Sequence, residues 1–264
     1  MDERTIPICL HLNSFKVILL YMVVFWNFSY QLYWWGTLSL EMEERYNSSD
    51  SMISFAYILR SITIIPSAII EPALTRKVGH NITIFIGCSI HFLSYIFIGP
   101  SQVLGLPESE SLILVGLALK GLADPLQFIP VFPELIEYFR STHEGKWQIG
   151  PASDVISAIG SMTIEAGVIF GTILGFVLYA TIGFRYGSDV FFFMQIPMLV
   201  MFIFCGGVVQ DCKRLRNGEV MLRRQTTEIE PPATGRQLKE EQPEELGSAP
   251  DSNKNAERKT VNEF

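Results

Sequence analysis

The chain is poor in charge and lacks the motifs of the common enzyme classes. Only 18% of its 264 residues are charged, and residues 228–264 hold much of the acid behind the net charge of −7. No basic face of the kind that binds nucleic acid is left, so no nucleic-acid partner is expected. The motifs HExxH and GxSxG and the P-loop are missing, and the four histidines share no face. These absences argue against an enzyme, and no cofactor is implied.

Cysteine is also scarce and shows no ligand spacing. No CxxC or Cys/His pattern is present, and two of the cysteines lie inside apolar runs, where a thiol packs as a small hydrophobic group. Neither a disulfide framework nor a metal site is predicted. Cys212 follows the last apolar run and is either an unmodified thiol or a palmitoylation site. The others are Cys9, Cys88 and Cys205.

Long apolar runs are what the chain has instead. Hydrophobic residues make up 48% of it, and its mean hydropathy is +0.28. A bilayer core of about 30 Å takes about 20 helical residues to cross. The first run is too long for a signal peptide and has no cleavage site, so we expect no processing. The sequence predicts an all-α, polytopic membrane protein with six transmembrane helices near residues 15–35, 52–74, 82–98, 112–132, 155–182 and 190–209.

Basic residues are concentrated in alternate connectors, which predicts the orientation. By the positive-inside rule both termini are cytoplasmic, and an even number of spans agrees. The predicted outer connectors carry only Arg45 and Arg185, among several acidic residues. The sequence leaves open whether the membrane is vesicular, endolysosomal or plasma membrane. The predicted inner connectors carry Arg4, Lys16, Arg76, Lys77, Arg140, Lys146, Lys213, Arg214, Arg216, Arg223 and Arg224.

The C-terminal segment has the composition of a disordered chain. Residues 225–264 hold almost no large apolar side chain and are rich in Glu, Pro, Gln and Lys, so they cannot bury enough surface to offset ordering. The basic run 213–224 is predicted to rest on anionic lipid headgroups. The predicted layout is a cytoplasmic segment 1–14, a transmembrane domain 15–210 and a cytoplasmic segment 211–264.

The stretch 112–137 is apolar enough to cross a bilayer, yet it carries two charges at its centre. Lys120 and Asp124 lie one helical turn apart, and prolines follow at 125, 130 and 133. A charge in hydrocarbon costs several kcal/mol unless it meets a partner or a wet cavity. A broken helix is likewise tolerated only where protein or water satisfies the freed carbonyls. We interpret this stretch as a transport helix.

Arg60 and Glu165 fall at the same predicted depth as Lys120 and Asp124, within about 5 Å of the midplane. These two positive and two negative groups are expected to form a mutually neutralising network. The network either fixes helix pairing or forms a proton-coupled or substrate-binding centre. In the second case Asp124 and Glu165 bind a proton or cation, and Arg60 and Lys120 pair with them or bind an anionic group. Lys120 and Asp124 can also pair within their own helix.

Polar and small residues mark two further helix faces. Asn27, Tyr30 and Gln31 form a polar stripe on the first span, which either faces a cavity or joins helices. With Gln127 of the fourth span, Asn27 completes the set of candidate binding residues. Glycines at 167, 171 and 175 give the fifth span a smooth face for helix packing or, alternatively, for gating. Four aromatic residues are interpreted as interfacial anchors rather than a ligand cage: Trp26, Tyr33, Trp34 and Trp35.

These residues resemble the C-terminal half of a major facilitator superfamily transporter. The loop PALTRKVGHN, at 72–81, is similar to the superfamily's G-x-x-x-D-R-x-G-R-K loop: it keeps Lys77 and Gly79 but has Pro72 and Arg76 where the pattern has Gly and Asp. The stretches GLADPLQFIPVFPELIE and GVIFGTILGFVLYATIGF look like the vesicular amine and polyamine transporter branch, the solute carrier 18 type. The resemblance covers residues 15–209.

The resemblance implies six helices arranged as a 3+3 inverted repeat, which is half of the superfamily's twelve-helix fold. It also implies a proton-driven antiporter of cationic amines or polyamines, whose partners are the bilayer, a small solute and protons. Because one half alone leaves the cavity open on one side, the chain is expected either to be a truncated product or to pair with a second half. The alternative is a non-transporting membrane scaffold or regulatory partner.

The topology predicts different fates for two glycosylation sequons. Asn47-Ser-Ser falls in the first outer loop and is open to modification, whereas Asn81-Ile-Thr lies on the cytoplasmic side and should stay bare. Expression in microsomes should therefore give at most one glycosidase-sensitive form, and the variant Asn47→Gln should lose it. Sugar on Asn81 would overturn the topology.

Overall fold

The computed structural model describes residues 14–142 and 149–216, which contain helices and no strands. Cys9, the predicted tail 225–264 and residues 217–224 of the predicted lipid-binding run lie outside the described residues. The helices are α1 Phe15–Tyr46, α2 Asp50–Val78, α3 His80–Ile98, α4 Glu110–Phe128, α5 Val131–Thr142, α6 Ile149–Cys205 and α7 Val208–Arg216.

Within the described residues, five helical stretches are long and apolar enough to cross a membrane, and the last of them folds back on itself. Gly183 has φ +81° and ψ 169°, outside the helical region and open to glycine without strain. Gly175 and Gly187 both lie against Tyr33 of α1, so the chain reverses direction between them. The two arms of α6, 149–182 and 184–205, are each long enough for a core of about 30 Å. The helical class is thus confirmed, and the described residues contain apolar helices of sufficient length for the predicted spans.

The first helix is longer than the predicted span 15–35. It runs for 32 residues, about 48 Å at 1.5 Å per residue. Leu38 and Met42 are fully buried on this continuation, so packing within the protein carries the helix beyond the predicted end. The helix ends at Asn47, whose φ of 49° is left-handed and is a common terminator. The predicted boundary is short by about three turns.

The glycine face of the first α6 arm packs directly on α1. A methyl group on Gly171 would lie 2.1 Å from the Ser29 carbonyl oxygen, and one on Gly167 would lie 2.6 Å from the Phe25 carbonyl oxygen. Gly175 continues the contact one turn further along. The backbones therefore approach too closely for any larger side chain, which confirms the predicted role in helix packing.

The prolines of the predicted transport helix divide it into α4 and α5. The break is a turn at residues 129–130. The Ile129 amide donates to the Pro125 carbonyl oxygen at 3.1 Å, and the Glu134 amide donates to the Pro130 carbonyl oxygen at 3.2 Å. Backbone hydrogen bonds thus continue on both sides of the turn, as a membrane interior requires.

A buried polar cluster ties four helices together at one end of the bundle. Asn81 of α3 donates from Nδ2 to Glu134 Oε1 at 3.1 Å and to Asp211 Oδ2 at 2.9 Å. Lys16, near the start of α1, forms an ion pair with the same Glu134 carboxylate. The start of α1 and the last described helix therefore lie at the same end, the end that the charge pattern assigns to the cytoplasm.

The opposite end is held by Glu108, which both arginines of the predicted outer connectors share. Arg185 donates from Nη1 to Glu108 Oε1 at 2.7 Å and from Nε to the Pro100 carbonyl oxygen at 2.7 Å. Arg45 donates from Nε to Glu108 Oε2 at 3.0 Å. These hydrogen bonds, chiefly that from Arg45, hold the pKa of Glu108 below its usual value.

The aromatic residues of α1 are not an interfacial belt. Trp26, Tyr33 and Trp34 are at most 6% exposed, whereas Trp35 is 48% exposed. The Tyr33 hydroxyl donates to the carbonyl oxygen of Phe184 at 2.5 Å. The predicted anchoring role is therefore wrong for the three buried residues, because this part of α1 packs against other helices.

The sequons and cysteines differ in access. Asn47 is exposed, and Asn81 is 3% exposed. Cys88 is buried, and Cys205 and Cys212 are exposed; all three are free thiols.

We expect Gly171→Ala to destabilise the bundle by about 1 to 3 kcal/mol, because the added methyl group must push α6 away from α1. Thermal unfolding of the purified protein in detergent measures the effect. The matched control is Gly36→Ala, whose methyl group would lie 3.5 Å from the Phe176 ring, an ordinary contact. Equal melting temperatures for the two variants would contradict the tight packing.

Candidate functional site

The carboxylate of Asp124 lies between two cationic side chains from different parts of the chain. Arg60 of α2 donates from Nη2 to Asp124 Oδ2 at 2.6 Å and from Nε to the same oxygen at 3.2 Å. Lys120, one turn earlier on α4, forms an ion pair with Asp124 Oδ1. The side chains of Arg60, Asp124 and Lys120 are 12%, 11% and 0% exposed. We call these three residues the Asp124 cluster.

Neutral groups of α1 complete the coordination of both cations. Lys120 donates from Nζ to Asn27 Oδ1 at 2.8 Å. Arg60 donates from Nη2 to Gln31 Oε1 at 3.1 Å, and its guanidinium carbon lies 5.6 Å from the centre of the Trp34 ring, within the range of a cation–π interaction. The polar stripe of α1 therefore joins helices here, with Asn27 facing one cation and Gln31 the other.

Small residues place α4 between its neighbours. A methyl group on Gly121 would lie 2.4 Å from the Arg60 carbonyl oxygen, so α2 and α4 touch beside the cluster. On the other side, a methyl group on Gly116 would lie 2.5 Å from the Ile98 amide nitrogen of α3. Ser67 of α2 adds a hydrogen bond, donating to a carbonyl oxygen of α4 at 2.5 Å. These close approaches bring Arg60 within reach of Asp124.

Gln127 extends the polar face of α4 toward α3, where it meets His91. The His91 Nδ1 and Gln127 Oε1 atoms are 2.6 Å apart. His91 is fully buried against the rings of Tyr30 and Tyr95, and its Nε2 has no hydrogen-bond partner within the described part of the chain. Sequence reasoning missed His91, although a lone ionisable residue inside an apolar run is the same signal that drew attention to Lys120.

Glu165 does not join the Asp124 cluster. Its side chain is exposed on the first arm of α6, on a face that also exposes Met162 and Ile169. No ion pair links it to another residue in the described ranges. The reason is visible in the sequence: Glu165 precedes Gly167 by two residues, about 200° around the helix, and Gly167 faces α1. The structure thus brings together three of the four predicted charges.

The Asp124 cluster carries an excess of positive charge. Two cations share one carboxylate, and the groups that complete their coordination are neutral amides. Burial strengthens each interaction and raises the free-energy cost of leaving any charge unpaired. An arrangement of this kind holds only while Asp124 is ionised and in contact with both partners.

The chain is similar over part of its length to a known membrane transporter. The MFS-type transporter SLC18B1 of Homo sapiens is 26% identical to this chain over 166 residues. The match covers 58% of this chain and 34% of the human protein, so the matched region spans about a third of the relative's length. No family model matches the chain, and no solved structure matches it. The likeness and the apolar helices together support an integral, multi-pass membrane protein.

We expect Asp124→Asn to destabilise the protein by about 3 to 5 kcal/mol, because it leaves two buried cations without their shared anion. The double variant Asp124→Asn/Lys120→Met should recover part of the loss, since it removes the more deeply buried of the two charges. Thermal unfolding of the purified variants in detergent checks both. A single variant as stable as the wild type would contradict the ion pairing.

Proposed function

We propose that the chain acts in the transport of a small organic cation in exchange for protons, with Asp124 as the group at which the two compete. The observation that carries the proposal is the Asp124 cluster, an ionised carboxylate paired with Arg60 and Lys120 inside an apolar helix bundle. Ionisable residues at such positions mark the substrate and proton pathways of transporters. The likeness to an MFS-type transporter supports the same class.

Competition at one carboxylate is a sufficient basis for exchange. An organic cation binds to the charged form of Asp124 and not to the neutral form, so a bound proton and a bound cation exclude each other. Arrival of a proton on Asp124 also removes the attraction that holds Arg60 of α2 against α4. Protonation therefore releases the cation and loosens the contact between two helices in the same step, which ties the chemistry to a conformational change.

The neutral candidates have supporting roles in this scheme. Asn27 accepts a hydrogen bond from Lys120 and fixes the ammonium group on the far side of Asp124. Gln127 lies one turn beyond Asp124 and is bonded to His91, which orients α4 against α3. We assign both residues to positioning the charged groups in this conformation.

Glu165 is proposed as a second site for proton or cation. An ionised carboxylate facing lipid would be unfavourable by several kcal/mol. The carboxylate is therefore proposed to meet a water-filled cavity, and the apolar face beside it, with Ile169 and Ile173 at 60% and 63% exposed, is proposed to pack against a second six-helix unit. The 3+3 inverted repeat and the solute carrier 18 branch belong to the same proposal. The name of the human relative supports the branch.

We expect the reconstituted full chain to take up labelled agmatine when a pH gradient is imposed across proteoliposomes. The variant Glu165→Gln should lose this gradient-driven uptake and keep its folding, because its charge pairs with no residue in the described ranges. Scintillation counting of filtered vesicles measures the uptake. The matched control is Glu43→Gln, which removes another exposed carboxylate at the outer end of α1 and should transport like the wild type.

Three results would contradict the proposal in whole or in part. If agmatine uptake by the wild type did not depend on the pH gradient, transport would not be coupled to protons. Full gradient-driven uptake by Glu165→Gln would show that Glu165 is not part of the transport site. Absence of any flux, with binding partners captured by the C-terminal segment, would favour the scaffold alternative.

A further inference from the structure

The two cations of the Asp124 cluster are held in different ways. Lys120 is fully buried, lies on the same helix as Asp124 and is fixed on its other side by Asn27. Arg60 comes from α2, whose only buried residues are Ala56, Ser67 and Glu71, and its side chain is 12% exposed. Arg60 is therefore the partner that can leave Asp124 with the smaller rearrangement of the bundle.

The groups that surround the Arg60 guanidinium are those that recognise an organic cation. The Oδ2 atom of Asp124 supplies charge at 2.6 Å, and the amide oxygen of Gln31 supplies a neutral acceptor at 3.1 Å. The indole ring of Trp34 supplies a π face at 5.6 Å. Carboxylate, amide oxygen and aromatic ring together bind ammonium and guanidinium groups in a dry site.

We propose that the Arg60 guanidinium occupies, in this conformation, the subsite that takes the ammonium or guanidinium group of the transported solute. Arg60 is then a tethered competitor: the solute binds by displacing it from Asp124, Gln31 and Trp34. The inference rests on the proposed function, because it takes the solute to be an organic cation. It adds which chemical group of the solute is recognised and which residues form the subsite for that group.

Displacement has a measurable consequence for affinity. When a binding-competent state is populated only in part, the apparent dissociation constant rises by the inverse of that fraction. If Arg60 fills the subsite for more than about nine-tenths of the time, its removal should tighten binding by about tenfold or more. Replacing Lys120 should give no such gain in affinity. Lys120 is bonded to the other oxygen of Asp124, and its side chain is fully buried.

The test is calorimetric binding of agmatine, which carries an ammonium group at one end and a guanidinium group at the other, to the purified full chain in detergent. We expect Arg60→Gln to bind agmatine about tenfold more tightly than the wild type. The matched control is Arg76→Gln, on the same helix, which removes an exposed arginine that forms no ion pair with any described residue and should bind like the wild type.

Two further variants separate competition from a merely structural effect. Arg60→Lys keeps the positive charge, so its affinity for agmatine should rise less than that of Arg60→Gln. The double variant Arg60→Gln/Asp124→Asn should lose agmatine binding while it stays monodisperse on size exclusion. Unchanged or weaker binding by a monodisperse Arg60→Gln protein would overturn the inference, as would an equal gain from Arg76→Gln.

The inference and the proposed function fail separately. Tighter binding by Arg60→Gln, without gradient-driven uptake by the wild type, supports the subsite and removes the exchange activity. Gradient-driven uptake by the wild type, without tighter binding by Arg60→Gln, supports transport and overturns the tethered competitor.

Discussion

Asp124 has to balance two positive charges in a part of the molecule that is almost closed to solvent, and the arrangement of three helices follows from that requirement. Its two oxygens face different helices: one meets Lys120 within α4, and the other meets Arg60 across the contact with α2. Low polarity makes each ion pair strong and makes an unpaired charge costly. The same carboxylate is therefore both a structural joint and the place where a proton or a cation would have the largest effect.

The first helix supports this cluster because its faces serve different neighbours. Asn27 and Gln31 bond to the two cations, while the opposite side of the helix accepts the glycine face of α6. Backbone contact at Gly171 leaves no room for adjustment between α1 and α6. By contrast, α2 has few buried residues, and its close contact is with α4, at Gly121 and beside the Asp124 cluster. The position of α2 therefore depends on α4 and on the ion pair of Arg60 with Asp124.

The sequence located Asp124, Lys120 and Arg60 as partners because they lie at one depth in apolar runs, and depth can be counted at 1.5 Å per residue. It placed Glu165 with them for the same reason, but depth says nothing about which way a side chain points. The direction depends on the face that packs, and two residues of separation from Gly167 turn Glu165 to the opposite side. The sequence did not point to His91, because the four histidines share no common face. The relevant neighbours of His91 are instead the polar and charged residues of α4 at the same depth in the bundle.

Length, apolar runs, glycine spacing and intramembrane charge are properties of consecutive residues, and they determined by themselves that this chain is a helical membrane protein with an ionic centre. The tertiary structure decided which helices the charges join, how far α1 continues beyond its predicted end, and which of its aromatic rings pack inside the protein. The physical reason is that a helix can turn about its own axis with little change in local energy. Only contacts with its neighbours, such as the approach of Gly121 to the backbone at Arg60, fix that rotation and so choose the partners.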